Sequence, residues 1–328
     1  MGNPQPAGSQ RIVSLDDVRG LAVPFSRMKV FLTGATGFVG SHIAARLVAE
    51  GHDVRALARN PEAAQQRLGA QVEVVAGDVV TGAGIAEGVV HCDAIIHLVG
   101  IIMEVGGATF EDAHFTSTRN IVVAAQAAEV RRIVQMSALG ARADGVSGYQ
   151  TTKWRAEELV RGSGIPYCIL RPSIIFGPRD GFVNQMLGVM RSAPLVRPVP
   201  GNGQYRFRPV YIDTVVDCFV QALTADAALG KTIDLVGPEE LTLETILAEI
   251  AACAGVRKPA VKVPYPIMYM NAAILGAILR RPPVTTGQLR MLREGSTADP
   301  GPMLATFKVN PVRFREGLNR YLCRPAAS

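Results

Sequence analysis

The sequence predicts an α/β protein: a doubly wound parallel sheet followed by a smaller, mostly helical C-terminal lobe. Three observations carry this reading. Short apolar, β-branched runs alternate with helical patterns from Met28 onward. The first run stops at a glycine-rich turn that opens a helix, Thr33-Gly34-Ala35-Thr36-Gly37-Phe38-Val39-Gly40. After residue 178 the alternation loosens into Pro- and Gly-rich sequence and further helices.

The elements follow in order. Lys29 to Thr33 is the first strand, Phe38 to Glu50 a helix closed by Gly51, and Val54 to Ala58 the second strand. Val72 to Val75, Ala94 to Val99 and Ile133 to Ser137 are further strands, and Phe110 to Ala128 is the clearest helix between them. Tyr149 to Arg161 is a helix, followed by the strand Tyr167 to Leu170 and then Arg171-Pro172. Strands that alternate with helices pair in parallel through right-handed crossovers, which puts helices on both faces. Segment 194–209 reads as a long loop, with helices expected at 213–225, 241–254, 267–280, 284–294 and 311–321. The division expected is a flexible N-terminal extension over 1–27, a sheet domain over 28–178, and a substrate or partner lobe over 179–328, partly interleaved with the sheet.

Composition bounds the function. Of 328 residues, 48 % are apolar and 19 % charged, which excludes wholesale disorder and allows a sizeable core. The formal net charge is +6, but no block of basic residues forms, so nucleic acid is not an expected partner. Cys92, Cys168, Cys218, Cys253 and Cys323 show neither a CxxC nor a ligand-spaced His, so reduced thiols of a cytoplasmic protein and no metal site are expected. Residues 1–27 lack the apolar core of a secretory signal. Val263 to Leu279 is the most apolar stretch; Pro264 and Pro266 break its start, leaving about 13 residues, too few to span a bilayer. As a helix, Ile267 to Leu279 is apolar nearly all round, the pattern of a buried helix. The competing reading is peripheral docking to a lipid, a quinone-like substrate or a membrane subunit, with Arg280 and Arg281 toward anionic headgroups.

The glycine turn carries the chemistry. Gly34 permits the tight turn, Gly37 lets the backbone approach a pyrophosphate, and Gly40 lets helix and strand pack closely. The helix start offers free N–H groups and a positive dipole end to phosphates, so Thr33, Gly34, Thr36, Gly37, Phe38, Val39 and Gly40 are expected to hold a dinucleotide. NAD sites place a carboxylate at the end of the second strand, on the ribose 2′-hydroxyl. Here that place holds Ala58 and then Arg59, a guanidinium suited to a 2′-phosphate, so NADP(H) is expected over NAD(H), with Arg55 in the strand as a second cation. Asp78 and Val79 are placed to border the adenine, and the His97-Leu98-Val99-Gly100 turn to pass near phosphates and ribose. Tyr149 and Lys153 are i and i+4 on one helix face, where an ammonium would lower the phenol pKa for proton transfer.

With these residues in view, the chain resembles the extended and atypical short-chain dehydrogenase/reductases. The matching residues are TGATGFVG at 33–40, GD at 77–78, YQTTK at 149–153 and RPSIIFGP at 171–178. Thr118-Arg119-Asn120, VQMSALG at 134–140, RPSIIFGPRDGF at 171–182 and RPVYIDT at 208–214 are similar to the branch containing the dinucleotide-binding accessory subunit of respiratory complex I and its bacterial relatives. The resemblance, over 28–320, implies a Rossmann fold. It makes Tyr149 the general acid/base and Lys153 the residue that holds the nicotinamide ribose. It sets Pro172 and Ser173 beside the nicotinamide, and Asp213 either at the site or as a helix cap. Two positions depart from the family. Its catalytic Ser or Thr falls on Ala138, and its helix-four Asn on His114. Either Ser137 or Ser147 substitutes, or the catalytic set is incomplete; His114 is either a proton relay or a hydrogen-bonded structural histidine.

Two function classes follow. The first is an NADP(H)-dependent oxidoreductase, or an epimerase or dehydratase, acting on a small, apolar substrate. The second is a non-catalytic dinucleotide-binding accessory or assembly factor of a membrane redox complex.

Overall fold

The structure, a computed structural model, describes residues 27–279, 282 and 284–323. Most of the N-terminal extension, together with Arg280 and Arg281, therefore lies outside the described residues.

The first half contains β1 (Lys29–Thr33), α1 (Phe38–Ala49), β2 (Asp53–Ala58), α2 (Pro61–Leu68), β3 (Val72–Ala76), α3 (Ile85–Val89), β4 (Ala94–His97), α4 (Ser117–Ala127), β5 (Arg132–Met136), α5 (Gly148–Arg161) and β6 (Tyr167–Pro172). The second half contains β7 (Ile175–Phe176), α6 (Gly181–Ser192), β8 (Arg197–Pro200), β9 (Arg206–Phe207), β10 (Val210–Tyr211), α7 (Ile212–Gln221), β11 (Lys231–Leu235), β12 (Leu241–Thr242), α8 (Leu243–Cys253), β13 (Ala260–Val263), α9 (Tyr265–Ile278), α10 (Thr286–Glu294), α11 (Gly301–Thr306) and α12 (Phe314–Asn319).

Seven strands form one parallel sheet in the order β11-β6-β5-β4-β1-β2-β3. The chain winds outward from β1 through β3, then returns to β4 beside β1 and winds the other way. That reversal opens a crevice between the carboxyl ends of β1 and β4, the place where doubly wound sheets bind ligands. Alternation along each strand feeds two cores. Val30, Leu32, Ile96 and Val134 meet Ile43 and Leu47 of α1 and Val215 and Phe219 of α7 on one face. Phe31, Ile95 and Ile133 meet Ile85, Ile121 and Val160 on the other. Near-continuous apolar strands are what burial on both faces demands.

The structure corrects four expectations. Segment 194–209 is not one loop: β8 pairs with β13, and β9 with β12. Pro198 and Pro200 are tolerated because the residues flanking them supply the ladder, Arg197 donating to Pro259 and Gly201 to Val263, both at 2.8 Å. The sheet's seventh strand, β11, and the helix α6 come from the second half and were not read in the sequence; Lys231–Leu235 is short and carries polar Thr232 and Asp234. Cys253 and Cys323 form a disulfide, leaving Cys92, Cys168 and Cys218 as free, buried thiols. Finally, α9 is not buried. Ala272 is its one buried residue, while Met270 is 56 % and Ile278 72 % exposed. It leaves β13 through Pro264 and Pro266 and packs mainly on α10, so among the described residues most of its apolar surface is exposed. Among the described residues, no helix is long and apolar enough to cross a membrane.

The loop between β7 and α6 is fixed by one buried carboxylate. Asp180 caps α6 by accepting from Val183 N at 2.6 Å, and also accepts from Gly177 N at 3.1 Å and from the Tyr321 hydroxyl at 2.9 Å. Asp180→Ala would strand all three donors. Urea unfolding is expected to show a loss of about 3 kcal/mol; a loss below about 1 kcal/mol would mean that water replaces the carboxylate there.

Candidate active site

The glycine turn has the shape its sequence requires. Gly34 sits at φ +76°, where a Cβ would press on the Leu98 backbone at 3.3 Å. A Cβ on Gly40 would lie 2.1 Å from the Gly34 carbonyl, so α1 can begin where it does only without one. Thr36 and Gly37 are exposed, and no side chain caps α1, so its first N–H groups face the crevice uncommitted. A backbone cradle that a Cβ would fill, at a helix start and at the topological reversal, fits a dinucleotide pyrophosphate.

Around this turn the remaining nucleotide candidates take distinct places. Arg59 is exposed just beyond β2 and has no carboxylate partner among the described residues. Arg55 is already committed: it donates to the carbonyls of Gly88 and Val90 at 3.0 and 2.9 Å and pairs with Glu73 at 2.8 Å. It is therefore a structural tie, not the second cation expected. Asp78 turns back on its own loop, accepting from Val80 N at 2.8 Å. The Val79 side chain belongs to the core, so this residue can offer a ligand only its backbone. Asn120 fixes that loop by donating to the carbonyls of Val79 and Val80 at 2.9 and 3.0 Å.

His97 pins the crevice. Its Nδ1 lies 2.6 Å from Thr33 Oγ1 and its Nε2 3.4 Å from Ser117 Oγ. Ser117 spends its own proton on the Ala113 carbonyl at 2.7 Å, so Nε2 carries the ring proton and Nδ1 accepts from Thr33. Burial, and then the Lys153 charge, pull His97 down to about 3, so it stays neutral.

The proton-transfer candidates gather on α5 and the helical segment before α4. That segment, Glu111–Thr116, is a wide π turn and carries His114. The half-buried Tyr149 ring meets His114 edge-on at 5.3 Å and Phe110 at 5.9 Å. His114 Nδ1 is 2.9 Å from Thr152 Oγ1, whose proton goes to the Gly148 carbonyl at 2.6 Å. Nδ1 is thus the donor, and Nε2 accepts from Ile101 N at 3.2 Å. Burial, followed by the Lys153 charge, pulls His114 down to about 2. Lys153 is buried and donates to the Met136 carbonyl at 3.1 Å. Burial lowers its pKa to about 8, against the Glu157 carboxylate one turn further on. Glu157 is itself fully buried and held bidentately by Arg171 at 2.7 and 2.6 Å. Gly100 makes room for this cluster: a Cβ there would lie 2.7 Å from Lys153 Nζ and 3.3 Å from His114 Nε2.

One electrostatic expectation reverses. Burial pushes the Tyr149 phenol up to about 12, and no hydrogen bond joins it to Lys153, so the lowered phenol pKa is not found. The two serines weighed as substitutes also separate. Ser137 is buried with no partner for its hydroxyl, one residue beyond the carbonyl that holds Lys153. Ser147 is occupied as the N-cap of α5. Pro172 ends β6. Ser173 lies 3.0 Å from Ser296 Oγ and 3.1 Å from the Ser296 carbonyl. Asp213 is in the first turn of α7, paired with Arg320 at 3.6 Å, and does not cap it. Thr152, Phe110 and Glu157 were missed in the sequence. Only Glu157, four residues after Lys153, left a visible spacing.

Known proteins fit this geometry. Residues 34–183 match the NAD(P)H-binding family model. A (4-alkanoyl-5-oxo-2,5-dihydrofuran-3-yl)methyl phosphate reductase of Streptomyces griseus is 30 % identical, over 69 % of this chain and 74 % of that one. The chain belongs to the NAD(P)H-binding short-chain dehydrogenase/reductase family. A 4-hydroxy-2-methyl-3-oxo-4-farnesyl-3,4-dihydroquinoline-1-oxide ketoreductase of Stigmatella aurantiaca is 29 % identical over 81 % of this chain and 85 % of that one. NADH dehydrogenase (ubiquinone) 1 alpha subcomplex subunit 9 of Arabidopsis thaliana is 31 % identical over 73 % of this chain, which spans 61 % of the subunit. UDP-glucose 4-epimerase of Thermotoga maritima shares the fold, with a TM-score of 0.72 over 90 % of this chain and 97 % of that one at 17 % identity.

Two measurements check the site. Gly40→Ala should weaken NAD(P)H binding by at least about tenfold and lower the unfolding midpoint, because the new methyl must displace the Gly34 carbonyl. Because His97 and His114 are neutral when folded yet protonate near 6.5 when unfolded, stability should fall as pH drops from 7 toward 3. Each histidine contributes up to about 1.4 kcal/mol per pH unit. His97→Gln should flatten that slope in urea titrations; an unchanged slope would count against a neutral, buried His97.

Proposed function

We propose that the protein is an NADP(H)-dependent oxidoreductase that interconverts a carbonyl and an alcohol on a small, apolar substrate. The observation that carries this reading is the Tyr149–Lys153 pair, packed against His114 and Phe110 beside the dinucleotide turn. A nicotinamide, when bound, would supply or accept hydride at the substrate carbon. In the reducing direction Tyr149 gives its proton to the carbonyl oxygen; a phenol near 12 is protonated at neutral pH and ready to act as the acid. The Lys153 ammonium, one turn on, would stabilise the phenolate left behind and hold the nicotinamide ribose. The free Ser137 hydroxyl is the candidate donor in place of the one that Ala138 lacks. Neutral His114 holds the Ile101 backbone and the start of α5 in register.

Arg59, exposed and unpaired where NAD-specific relatives place a carboxylate, supports NADP(H) over NAD(H). Relatives named for reducing farnesyl- and alkanoyl-bearing compounds support a lipophilic substrate. The second reading, a non-catalytic NAD(P)H-binding accessory factor of a membrane redox complex, is favoured by Ala138 and by the uncovered face of α9.

NADPH oxidation, followed by absorbance against a panel of medium-chain ketones, separates the two. Tyr149→Phe should cut turnover at least about 100-fold with NADPH affinity unchanged; equal turnover in the variant would defeat the enzyme reading. Arg59→Ala should weaken NADPH about tenfold and leave NADH unaltered. Equal losses for both cofactors would remove the 2′-phosphate contact.

A further inference from the structure

We propose that the cleft between α9 and α10 holds one molecule of an anionic amphiphile, with its acidic group on Arg290 and Arg293 and its apolar part along Tyr265, Tyr269 and Met270. This rests on the reductase reading and refines its substrate, giving the otherwise apolar molecule one acidic group.

The cleft, open to solvent, offers about 780 Å³ between Val146, Tyr265, Pro266, Tyr269, Met270, Arg290, Arg293 and Glu294. Its two walls differ in chemistry. The α9 wall is aromatic and apolar, with the Tyr265 and Tyr269 rings 6.2 Å apart. The α10 wall is cationic. Arg290 donates to the Tyr269 hydroxyl at 2.7 Å, and its guanidinium lies 5.7 Å from that ring's centre. The Arg293 guanidinium lies 5.3 Å from the centre of the Tyr265 ring. Tyrosine contacts hold both guanidiniums in place, but neither has a carboxylate partner among the described residues. The one acid in the lining, Glu294, is already spent on Arg142 and on Gln150, whose amide reaches it at 2.7 Å. Two fixed, unneutralised guanidiniums beside aromatic rings select an acidic group attached to an apolar body.

The cleft also borders the start of α5, which carries Tyr149. Gln150, bound to Glu294, adjoins Tyr149 in sequence, and Val146 lies three residues before Tyr149. An amphiphile anchored on α10 therefore has one end beside the start of α5. A single molecule is favoured over a bilayer surface because two guanidiniums and two tyrosines converge on one cleft, whereas the exposed Ile267, Ile274 and Ile278 do not line it.

The test uses calorimetric titration of the full chain with monomeric decyl phosphate and with 1-decanol. Wild type should prefer the phosphate. The double variant Arg290→Gln/Arg293→Gln should lose on the order of 30-fold in decyl phosphate affinity and keep its decanol affinity. Met270→Asp, at an exposed position that folding tolerates, should weaken both ligands. Equal binding of the two ligands by wild type, or an unchanged double variant, would overturn the proposal. So would arginine-dependent sedimentation with phosphatidylglycerol vesicles without tight decyl phosphate binding, because the patch would then be a membrane contact. NADPH titration in the same samples keeps the readings apart: its loss in wild type would sink the reductase reading, whereas intact NADPH binding with no phosphate preference would sink only the cleft.

Discussion

A 2.6 Å hydrogen bond between Thr33 and His97 ties together the two strands at which the chain reverses its winding. The rest of the site is referred to that bond. It sets the end of β1, from which the glycine turn departs, against the end of β4, from which Leu98 to Gly100 departs. Because His97 also reaches Ser117, the start of α4 is fixed to the same point. A neutral imidazole suits this position because it offers one donor and one acceptor, and its burial costs far less than that of an ion.

Charge is placed around that neutral centre with economy. Lys153 is a buried cation whose nearest compensation is a carbonyl and, one turn on, a carboxylate. Glu157 would be costly to bury alone, and Arg171 and Arg161 relieve that cost. The chain of opposite charges therefore runs from β6 through α5 to the site, and it keeps the ammonium from losing its proton despite its depth. Tyr149 sits outside the chain, in a pocket of rings, which is why its proton is held tightly.

Much of this was legible in the sequence because local rules wrote it. The strand–turn–helix at Thr33 to Gly40 needs glycines for steric reasons that act within eight residues, and α5 declares itself by the spacing of Tyr149 and Lys153. What was not legible depends on partners far along the chain. Arg55 reads as a free cation until Glu73 and the carbonyls of Gly88 and Val90 arrive. The exposure of α9 could not be read from its composition, because an all-apolar helix looks the same buried or bare. The Tyr149 pKa turned the other way because burial, which sequence does not display, raises it, while Lys153 gives its hydrogen bond to the Met136 carbonyl instead.

The seventh strand has a further consequence. β11 pairs with β6 from Cys168 to Pro172, yet it comes from the half of the chain that also supplies α7 and α8 to the core. A fragment ending after β6 would present Cys168, Ile169 and Leu170 along an unpaired edge and lose the part of one face's cover that α7 supplies beside α1. The nucleotide-binding half and the cleft-bearing half are thus one cooperative unit. Loosening either is felt as weaker folding of both.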